Sequence, residues 1–260
     1  YISTGLRTNK FGLDPRNALK ALNISKEFRF LKVNGLHIHI GSQIESIEPF
    51  VKVANFLKDF VRKARKIVAD IEFADLGGGF GINYRENRKK TGSFSFNFDE
   101  LSRILNTAVK ELDVKLIIEP GRAITGNSGI FITRVLYVKQ NFEKKFIIVD
   151  GGMSHLIRPS LYSAFHEIKP LINYEASEDT YDIVGPICES GDFLGKDRRL
   201  PEPKPGDYLA VFDTGAYGYS LSSNYNLQFK PPEIIVEGNS FFVSRRRENY
   251  RDLLHLFQPQ

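Results

Sequence analysis

Cysteine is almost absent from this chain, which has one among 260 residues, and tryptophan is absent altogether. A single thiol excludes a framework of disulfides and is typical of proteins kept in a reducing cytosol. Long apolar runs are missing too. No stretch has the length of a membrane span, and the first residues, YISTGLRTNK, lack the apolar core of a signal peptide. We therefore expect a cytoplasmic protein that binds no membrane.

Charge of one sign is not in large excess. The 36 basic and 31 acidic residues leave a formal net charge of +5, and basic residues mix with acids outside two short clusters at 62–66 and 245–247. Such scattering is typical of a solvated surface, so no nucleic-acid partner is predicted. A basic site for small acidic molecules stays open. The hydrophobic content of 42% is enough for one large domain or two small ones.

The first half of the chain alternates between strand and helix patterns. Short apolar strands are predicted over 30–40, 71–76 and 115–118. Two amphipathic helices are predicted between them, the first capped by Ser46 and the second by Asn97. Strands connected through helices form a parallel sheet. The predicted core side of the first helix consists of Phe50, Val53, Ala54, Leu57, Phe60 or Val61, Ala64 and Ile67.

After about Gly126 the pattern changes to short strands separated by loops rich in proline and glycine. This composition predicts a mostly antiparallel sheet. The predicted strands cover 129–138, 145–149, 181–187, 207–212, 233–236 and 240–243, and a helix is predicted over 245–256. The predicted fold is an α/β domain followed by a β domain, with the boundary near Thr125 and the domains at 1–125 and 126–260.

Unusual residues follow each of the three strands predicted in the first half. The three sets are His39 with Ser42, Gly77-Gly78-Gly79, and Glu119-Pro120-Gly121-Arg122. Barrels and open sheets of the α/β class place their sites at the carboxyl ends of parallel strands. We therefore expect the three sets to lie close together and to form a site.

The glycine-rich segment GGGFG (77–81) predicts an anion site, because backbone N–H groups can approach a phosphate closely there. It is neither a Walker loop nor a complete GxGxxG motif. Glu119 and Arg122 place an acid and a base at one strand end. They could form a local ion pair, or Glu119 could face a ring nitrogen of a cofactor while Arg122 binds an anion.

Two histidines, His37 and His39, are on the same face of the first predicted strand. No third ligand with clear metal-binding spacing accompanies them, so no metal site is predicted. The pattern favours a hydrogen-bonded core histidine for His37. His39 is closer to the strand end, where a functional group is expected.

The lone thiol, Cys188, is part of VGPICESGD (184–192), where it stands beside Glu189 and near Asp192. Structural cysteines more often occur in apolar runs, so a functional thiol is predicted. Arg158 and Tyr162 are four residues apart and could bind one carboxylate together. Tyr217 could donate to a phosphate, although an ordinary loop tyrosine would give the same pattern.

Taken together, seven segments resemble the diaminopimelate decarboxylase family along the whole chain. They are GLHIHIGSQI, DLGGGFGINY, EPGRAITGNSG, IRPSLY, VGPICESGDF, GAYGYSLSSNYN and RRRENYRDLL. Members of this family are pyridoxal-phosphate enzymes of the alanine-racemase-like barrel class. The segments VGPICESGD and SSNYN favour it over ornithine or arginine decarboxylases. Ser154-His155 stand where the family more often has Asn-Asp.

The resemblance implies the C-terminal half of a (β/α)8 barrel that binds pyridoxal 5'-phosphate, followed by a mostly antiparallel β domain. It implies that His39 stacks on the cofactor ring, that Glu119 pairs with the pyridinium nitrogen, and that Cys188 donates a proton. The implied cofactor contacts are His39, Ser42, Gly77, Gly78, Gly79, Glu119, Pro120, Gly121, Arg122 and Tyr217. The implied substrate contacts are Arg122, Arg158, Tyr162, Glu189 and Tyr217, with the arginines on the distal carboxylate and Glu189 on the distal ammonium.

The resemblance also implies a reaction and a partner. The expected reaction is decarboxylation of meso-2,6-diaminopimelate to L-lysine and CO2, the last step of lysine biosynthesis. The expected partners are this small amino-acid substrate and a second copy of the chain. In such a homodimer, the segment from Cys188 to Asp192 reaches the active site of the partner subunit.

One departure from the family concerns its Schiff-base lysine, which lies in a Tyr-x-x-Lys-Ala-Asn-like context. No such motif occurs here, and Lys10 belongs to the separate KFG segment. We expect a C-terminal part of a longer enzyme, inactive by itself. Two alternatives stay open: a related decarboxylase of another basic amino acid, and a non-catalytic lysine-lacking homologue that acts as a partner subunit. Arg158 argues against the first, and the joint presence of Cys188, Glu119, Arg158 and Tyr217 against the second.

Overall fold

The fold was obtained as a computed structural model, which describes residues 10–85, 97–172 and 177–257. The chain divides into two compact units, Tyr1–Ile124 and Thr125–Gln260. The first has its core around α-helices and a parallel sheet, and the second around a larger sheet. No helix among the described residues has the length and apolar character needed to cross a membrane.

The first unit alternates helices with short strands, as the sequence predicts. Its elements are α1 (Pro15–Ser25), β1 (Gly35–His37), α2 (Glu48–Arg65), β2 (Phe73–Asp75), α3 (Phe98–Lys110), β3 (Lys115–Ile117) and α4 (Arg122–Thr125). The three strands form a parallel sheet in the order β1-β2-β3. Leu36 pairs with Ala74, and Ala74 pairs with Leu116, so the central residues of the three strands lie side by side.

Helix α2 buries the side that its apolar spacing predicts. Phe50, Val53, Ala54, Leu57, Phe60, Val61 and Ala64 are all buried. The predicted cap at Ser46 is wrong. The helix begins at Glu48 with Pro49 in its first turn, so Ile47 occupies the N-cap position and provides no side-chain cap. Ser46 is one residue too early in the chain to cap the free N–H groups.

Helix α3 begins where the sequence predicts. The side-chain oxygen of Asn97 accepts hydrogen bonds from the backbone N–H groups of Asp99 (3.0 Å) and Glu100 (3.3 Å). These two donors would otherwise lack partners at the start of the helix. The prediction of an Asn97 cap is confirmed.

The strands of the first unit are shorter than predicted, with three residues each. Main-chain pairing nevertheless continues past their ends. The N–H of Ile38 donates to Asp75 O (2.9 Å), that of Leu76 to Ile117 O (3.0 Å), and that of Glu119 to Gly77 O (2.9 Å). This pairing holds three loops side by side at the carboxyl edge of the sheet.

The second unit is built mainly from strands. Its elements are β4 (Phe131–Asn141), β5 (Lys144–Val149), α5 (Arg158–Tyr162), β6 (Ile168–Pro170), β7 (Glu178–Val184), β8 (Phe193–Pro201), β9 (Tyr208–Val211), β10 (Glu233–Glu237), β11 (Ser240–Arg245) and α6 (Tyr250–Leu254), with 3-10 turns at Gly126–Ser128, Tyr219–Leu221 and Tyr225–Leu227. Six strands form one sheet in the order β6-β9-β4-β5-β7-β8, and β10 pairs with β11. Only β5 and β7 are parallel neighbours among the described pairs, so the sheet is mostly antiparallel.

Two strands of this sheet were not predicted. β8 has the sequence FLGKDRRLP, whose central charges hide the alternation of a strand. Its pairing with β7 contains two register shifts, and Asp197 has a φ of 52°, so the strand is irregular where the charges lie. The other missed strand, β6, has only three residues.

The C-terminal helix is shorter than the predicted 245–256. Arg245 ends β11, and the helix begins only after Asn249, which forms a capping box with Asp252. Arg246 donates to both carboxylate oxygens of Asp252, and this contact lowers the pKa of Asp252 well below its usual range. The preceding strand therefore extends further, and the helix starts later, than hydrophobic spacing indicates.

Candidate functional site

His39 and the glycine segment meet at the carboxyl edge of the parallel sheet. The N–H of Gly78 donates to His39 Nδ1 at 3.3 Å. Because Nδ1 accepts, the hydrogen of the neutral ring is on Nε2. A Cβ on Gly77 would come within 3.0 Å of His39 Nδ1, and a Cβ on Gly78 within 2.6 Å of Glu119 O. Only glycine permits this approach, which brings the ends of all three strands together.

The glycine segment also follows the loop after His39. The N–H of Ile44 donates to Gly79 O (2.8 Å), and the N–H of Gly81 donates back to Ile44 O (2.9 Å). Gly79 has a φ of 94°, and a Cβ there would collide with the carbonyl oxygen of Gly41. The result is a main-chain cradle in which the loops pack tightly, because the glycines have no side chains to keep them apart.

Arg122 is buried beside this cradle, with an exposed fraction of 7%. Its Nη1 donates to Tyr84 Oη at 2.6 Å, and its Nη2 donates to Ser42 Oγ at 3.2 Å. A buried guanidinium surrounded by hydroxyl groups suits an anion, because the hydroxyls can donate to the same guest. Ser42 and Arg122 are therefore brought together, as the sequence predicts. Tyr84 was missed, and its only signal was its position directly after the glycine segment.

Glu119 lies on the same edge beside His37 and Asp75. His37 Nε2 is 3.5 Å from Glu119 Oε2, and one ligand atom of each of the three residues lies within 4.8 Å of the others. The prediction that His37 is a core histidine is wrong, because 53% of its side chain is exposed. One imidazole and two carboxylates could ligate a divalent cation. Asp75 also accepts from the N–H of Gly77 (2.8 Å), which ties it to the glycine segment.

Pro120 and Gly121 connect Glu119 to Arg122. Gly121 O accepts from the N–H of Ile124 at 3.1 Å and so closes the turn that begins α4. Arg122 is the first residue of this helix. This short connection places the Glu119 carboxylate after β3 and the Arg122 guanidinium at the start of α4, on either side of one turn.

In the second unit, the Cys188 loop is organised by Asp192. Asp192 is 4% exposed, and its two carboxylate oxygens accept from the N–H groups of Met153 (2.7 Å) and Ile187 (2.9 Å). A Cβ on Gly152 or on Gly185 would collide with the Asp192 carboxylate. The carboxylate thus fills the space between two glycines and fixes the base of the loop, while Cys188 itself is exposed.

Glu189 points its two oxygens at different parts of this loop region. Oε1 accepts from the N–H of Gly191 (3.1 Å), and Oε2 accepts from the hydroxyl of Tyr225 (3.2 Å). The hydrogen bond to Glu189 raises the pKa of Tyr225, because it favours the protonated phenol. Tyr225 was not predicted as a site residue, although it lies in the polar segment SSNYN.

Arg158 and Tyr162 stand at the two ends of α5. Arg158 is 2% exposed, and its Nη1 is 2.7 Å from Nε2 of His166, which is fully buried. Tyr162 is half-buried. Nothing in the sequence around His166 marked it as part of a site.

Tyr217 lies in a strained turn of the second unit. Its φ is 59°, its exposed fraction is 47%, and the next residue, Gly218, could not hold a Cβ without colliding with Thr214 O. The turn holds the phenol toward solvent. In the same unit, burial lowers the pKa of His155, whose Nδ1 is 3.2 Å from the N–H of Gly152.

The groups in the first unit fit pyridoxal phosphate. The cluster of Arg122, Ser42 and Tyr84 offers guanidinium and hydroxyl donors for a phosphate, His39 offers a flat ring, and Glu119 offers a carboxylate for a ring nitrogen. The glycines let the loops that carry His39, Ser42 and Glu119 pack against one another, which places these groups at one sheet edge. The residues present therefore match the chemistry of the group.

The chain matches one protein family and several known proteins. Residues 20–215 match the family described as pyridoxal-dependent decarboxylase, C-terminal sheet domain. The chain is similar to diaminopimelate decarboxylase of Aquifex aeolicus, with 42% identity over 250 residues, which are 96% of this chain and 58% of the relative. It is 41% identical to the diaminopimelate decarboxylase of Campylobacter jejuni over 98% of this chain and 62% of the relative.

A solved structure agrees with these relatives. The crystal structure of diaminopimelate decarboxylase from Helicobacter pylori, complexed with L-lysine, has a TM-score of 0.90 and 39% identity, and the match covers 98% of this chain and 62% of that one. The chain thus spans about three-fifths of the length of the relatives it matches. From the family match over most of its length and a site whose groups suit the cofactor, the chain belongs to the pyridoxal-dependent decarboxylases.

Proposed function

We propose that the protein carrying this chain decarboxylates meso-2,6-diaminopimelate to L-lysine and CO2, with pyridoxal 5'-phosphate as cofactor. The observation that carries the proposal is the cluster of His39, Gly78, Glu119 and Arg122 at one sheet edge, in a chain about 40% identical to diaminopimelate decarboxylases. The similar Helicobacter structure contains L-lysine, which is the product of this reaction.

The roles in the first unit follow from the chemistry of each group. When bound, pyridoxal phosphate supplies an electron sink that stabilises the carbanion left by the departing CO2. Arg122 and Ser42 would bind the phosphate beside the glycine segment Gly77-Gly78-Gly79, in which the N–H groups of Gly77 and Gly78 hold Asp75 and His39 in place. Glu119 would hold a proton on the ring nitrogen, and His39 would stack on the ring face with its Nδ1 fixed by Gly78.

The second unit would provide the proton and the substrate contacts. Cys188 Sγ would donate a proton to the substrate carbon from which CO2 departs. Glu189 would bind the distal ammonium, and Arg158 with Tyr162 would bind the distal carboxylate. Tyr217 would add a hydroxyl for the phosphate. L-Lysine keeps the distal carboxylate and ammonium, because CO2 departs from the other end of the substrate, so it would retain these contacts and lose only those to the departed carboxylate.

A substrate comparison tests the proposed reaction. In the full-length polypeptide loaded with pyridoxal phosphate, meso-diaminopimelate should yield L-lysine and CO2 in equal amounts. The kcat/KM values for L-lysine and L-ornithine should be lower by about 100-fold or more, because neither has a distal carboxylate for Arg158. A preference for ornithine or lysine would replace the proposal with a related decarboxylase. A lack of turnover with all three would favour a non-catalytic partner subunit.

Cys188→Ala tests the proton donor. Removing a positioned acid should lower kcat by about 10²- to 10⁴-fold, because the carbanion then waits for a proton from water. The bound pyridoxal phosphate, measured by its release in base, should stay at one per chain. Loss of the cofactor with normal turnover per remaining cofactor would assign Cys188 to binding instead.

We also propose that the first unit is part of a (β/α)8 barrel, that the second is a separate β domain, and that the enzyme is a cytoplasmic homodimer with shared sites. The three parallel strands with a site at their carboxyl edge support the barrel. The free cysteine supports a reducing compartment.

Mixing inactive Cys188→Ala and Arg122→Ala subunits tests whether the two subunits of the dimer share each active site. About a quarter of the wild-type activity should return, because mixed dimers regain one intact site. No recovery would place each complete site within one subunit.

A further inference from the structure

His166, which contacts the proposed substrate-binding residue Arg158, has no role among those assigned so far. Arg158 is 2% exposed and His166 is fully buried, and their closest nitrogens are 2.7 Å apart. A buried charge is costly unless hydrogen bonds replace water around it. The contact between these two side chains is therefore part of what holds the guanidinium in place.

The hydrogen-bond geometry fixes the state of the imidazole. Nδ1 of His166 is 2.7 Å from the carbonyl oxygen of Phe212, which can only accept, so Nδ1 carries the hydrogen. A guanidinium can only donate, so Nε2 accepts from Nη1 of Arg158. Both contacts are satisfied only by a neutral ring with its hydrogen on Nδ1.

The main chain holds His166 from the side of the sheet. β6 pairs with β9 in an antiparallel manner, with Ile168 opposite Val211. The pairing continues past the strand ends, because the N–H of Phe212 donates to Glu167 O at 2.9 Å. His166 is therefore one residue beyond the pair of Glu167 and Phe212, where its ring reaches Phe212 O. Phe212 itself begins the segment that leads to the turn with Tyr217.

We propose that His166 is a positioning residue, which orients the Arg158 guanidinium toward the distal carboxylate of the substrate. The inference rests on the proposed function, because that function assigns the carboxylate to Arg158. A neutral acceptor holds a guanidinium without opposing its positive charge, whereas an acidic side chain in the same place would weaken its attraction for a substrate carboxylate. His166 thereby contributes to the preference for a dicarboxylate over a monocarboxylate.

His166→Leu and His166→Gln form the test pair in the full-length enzyme with bound pyridoxal phosphate. Leucine fills the space but offers no acceptor to Arg158. Glutamine can donate its N–H to Phe212 and accept from Arg158, so it should restore the function. His166→Leu should raise the KM for meso-diaminopimelate by about tenfold or more, because a hydrogen bond to a charged group is lost, while kcat changes less. His166→Gln should stay within about threefold of the wild type.

Cadaverine separates positioning from general damage, because it has the two amino groups of L-lysine and no carboxylate. Its inhibition constant should change by less than about twofold in His166→Leu, whereas that of L-lysine, which keeps the distal carboxylate, should rise with the KM for meso-diaminopimelate. The control is Leu200→Ala, a core substitution in β8 of the same unit, which should lower thermal stability without changing the ratio of this KM to the inhibition constant of cadaverine. In an Arg158→Ala background, His166→Leu should add no further increase in KM, because its effect acts through Arg158.

Three results would overturn the inference: an unchanged KM in His166→Leu, an equal rise in the KM for diaminopimelate and the inhibition constant of cadaverine, or additive effects in the Arg158→Ala background. If His166→Leu does not fold, the same comparison is made with His166→Ala, which also lacks an acceptor, and by ¹⁵N NMR of the wild type, where hydrogen on Nε2 would refute the geometry. An inactive wild type would refute the proposed function, and the NMR tautomer would still decide the contact.

Discussion

The two units place their functional groups by different means. In the first, main-chain pairing between strand ends brings His39, the glycine segment and Glu119 together, and glycines allow the close approach. In the second, single buried side chains hold the loops: Asp192 fixes the base of the Cys188 loop, and His166 holds Arg158. Regular secondary structure builds one site region, and individual polar side chains build the other.

The strongest test of this difference is Gly79→Ala in the first unit. The new Cβ would collide with the carbonyl oxygen of Gly41, and the φ of 94° strains any other residue. The free energy of unfolding should fall by about 3 to 5 kcal/mol, with loss of bound pyridoxal phosphate. Guanidinium denaturation and cofactor content measure the two effects.

Gly12→Ala is the matched control for this substitution. Gly12 also has a positive φ of 68°, but a Cβ there would meet no atom within 4 Å. It should cost only about 1 kcal/mol, from backbone strain alone. Equal losses in both variants would mean that strain, and not the close approach of the loops, makes Gly79 necessary.

Asp192→Asn tests the side-chain clamp of the second unit. An amide can accept from only one of the two N–H groups of Met153 and Ile187, so one donor is left facing another donor. The free energy of unfolding should fall by about 2 to 3 kcal/mol. Turnover should fall as well, while bound pyridoxal phosphate stays unchanged.

Asp197→Asn is the control for Asp192→Asn. Asp197 is 72% exposed at its side chain and pairs with Lys144 on the surface. Such pairs contribute between about 0 and 1 kcal/mol, so this variant should remain close to the wild type. If Asp192→Asn had an equally small effect, the Cys188 loop would be held by something other than the carboxylate.

A smaller effect is expected at the start of α3. Asn97→Ala removes the acceptor for the N–H groups of Asp99 and Glu100, which should lower the free energy of unfolding by about 1 kcal/mol. Ser46→Ala should have almost no effect, because Ser46 does not occupy the N-cap of α2. A loss at Ser46 that equals the loss at Asn97 would contradict the observed helix start.

The smallest expected effect concerns the ionisation of the Tyr225 phenol. Tyr225 donates to Glu189, which raises its pKa above the ordinary value, so the neutral phenol is the form that stabilises the fold. This contribution is complete below the ordinary tyrosine pKa of about 10 and is lost as the pH rises through the higher folded pKa. The ultraviolet difference spectrum between wild type and Tyr225→Phe should show phenolate only above the ordinary range. Ionisation at the ordinary pKa would place Tyr225 away from Glu189.

The same contrast explains how much of the molecule could be predicted from the sequence. Periodicity and capping gave α2, the Asn97 cap and three parallel strand ends, because these depend on residues close together in the chain. β8 was missed because its central charges obscure the alternation. Tyr84 was missed because its partner, Arg122, is 38 residues away in the chain. His166 was missed because its partners, Arg158 and Phe212, are 8 and 46 residues away, and no local sequence pattern indicates such contacts.

The Asp192 clamp has a consequence for how this protein can evolve. Its carboxylate occupies space that a side chain at Gly152 or Gly185 would need, so either glycine can change only if position 192 changes as well. Among relatives, a residue other than glycine at position 152 or 185 should be accompanied by a residue other than aspartate at position 192. Variation between relatives should therefore be correlated around Asp192.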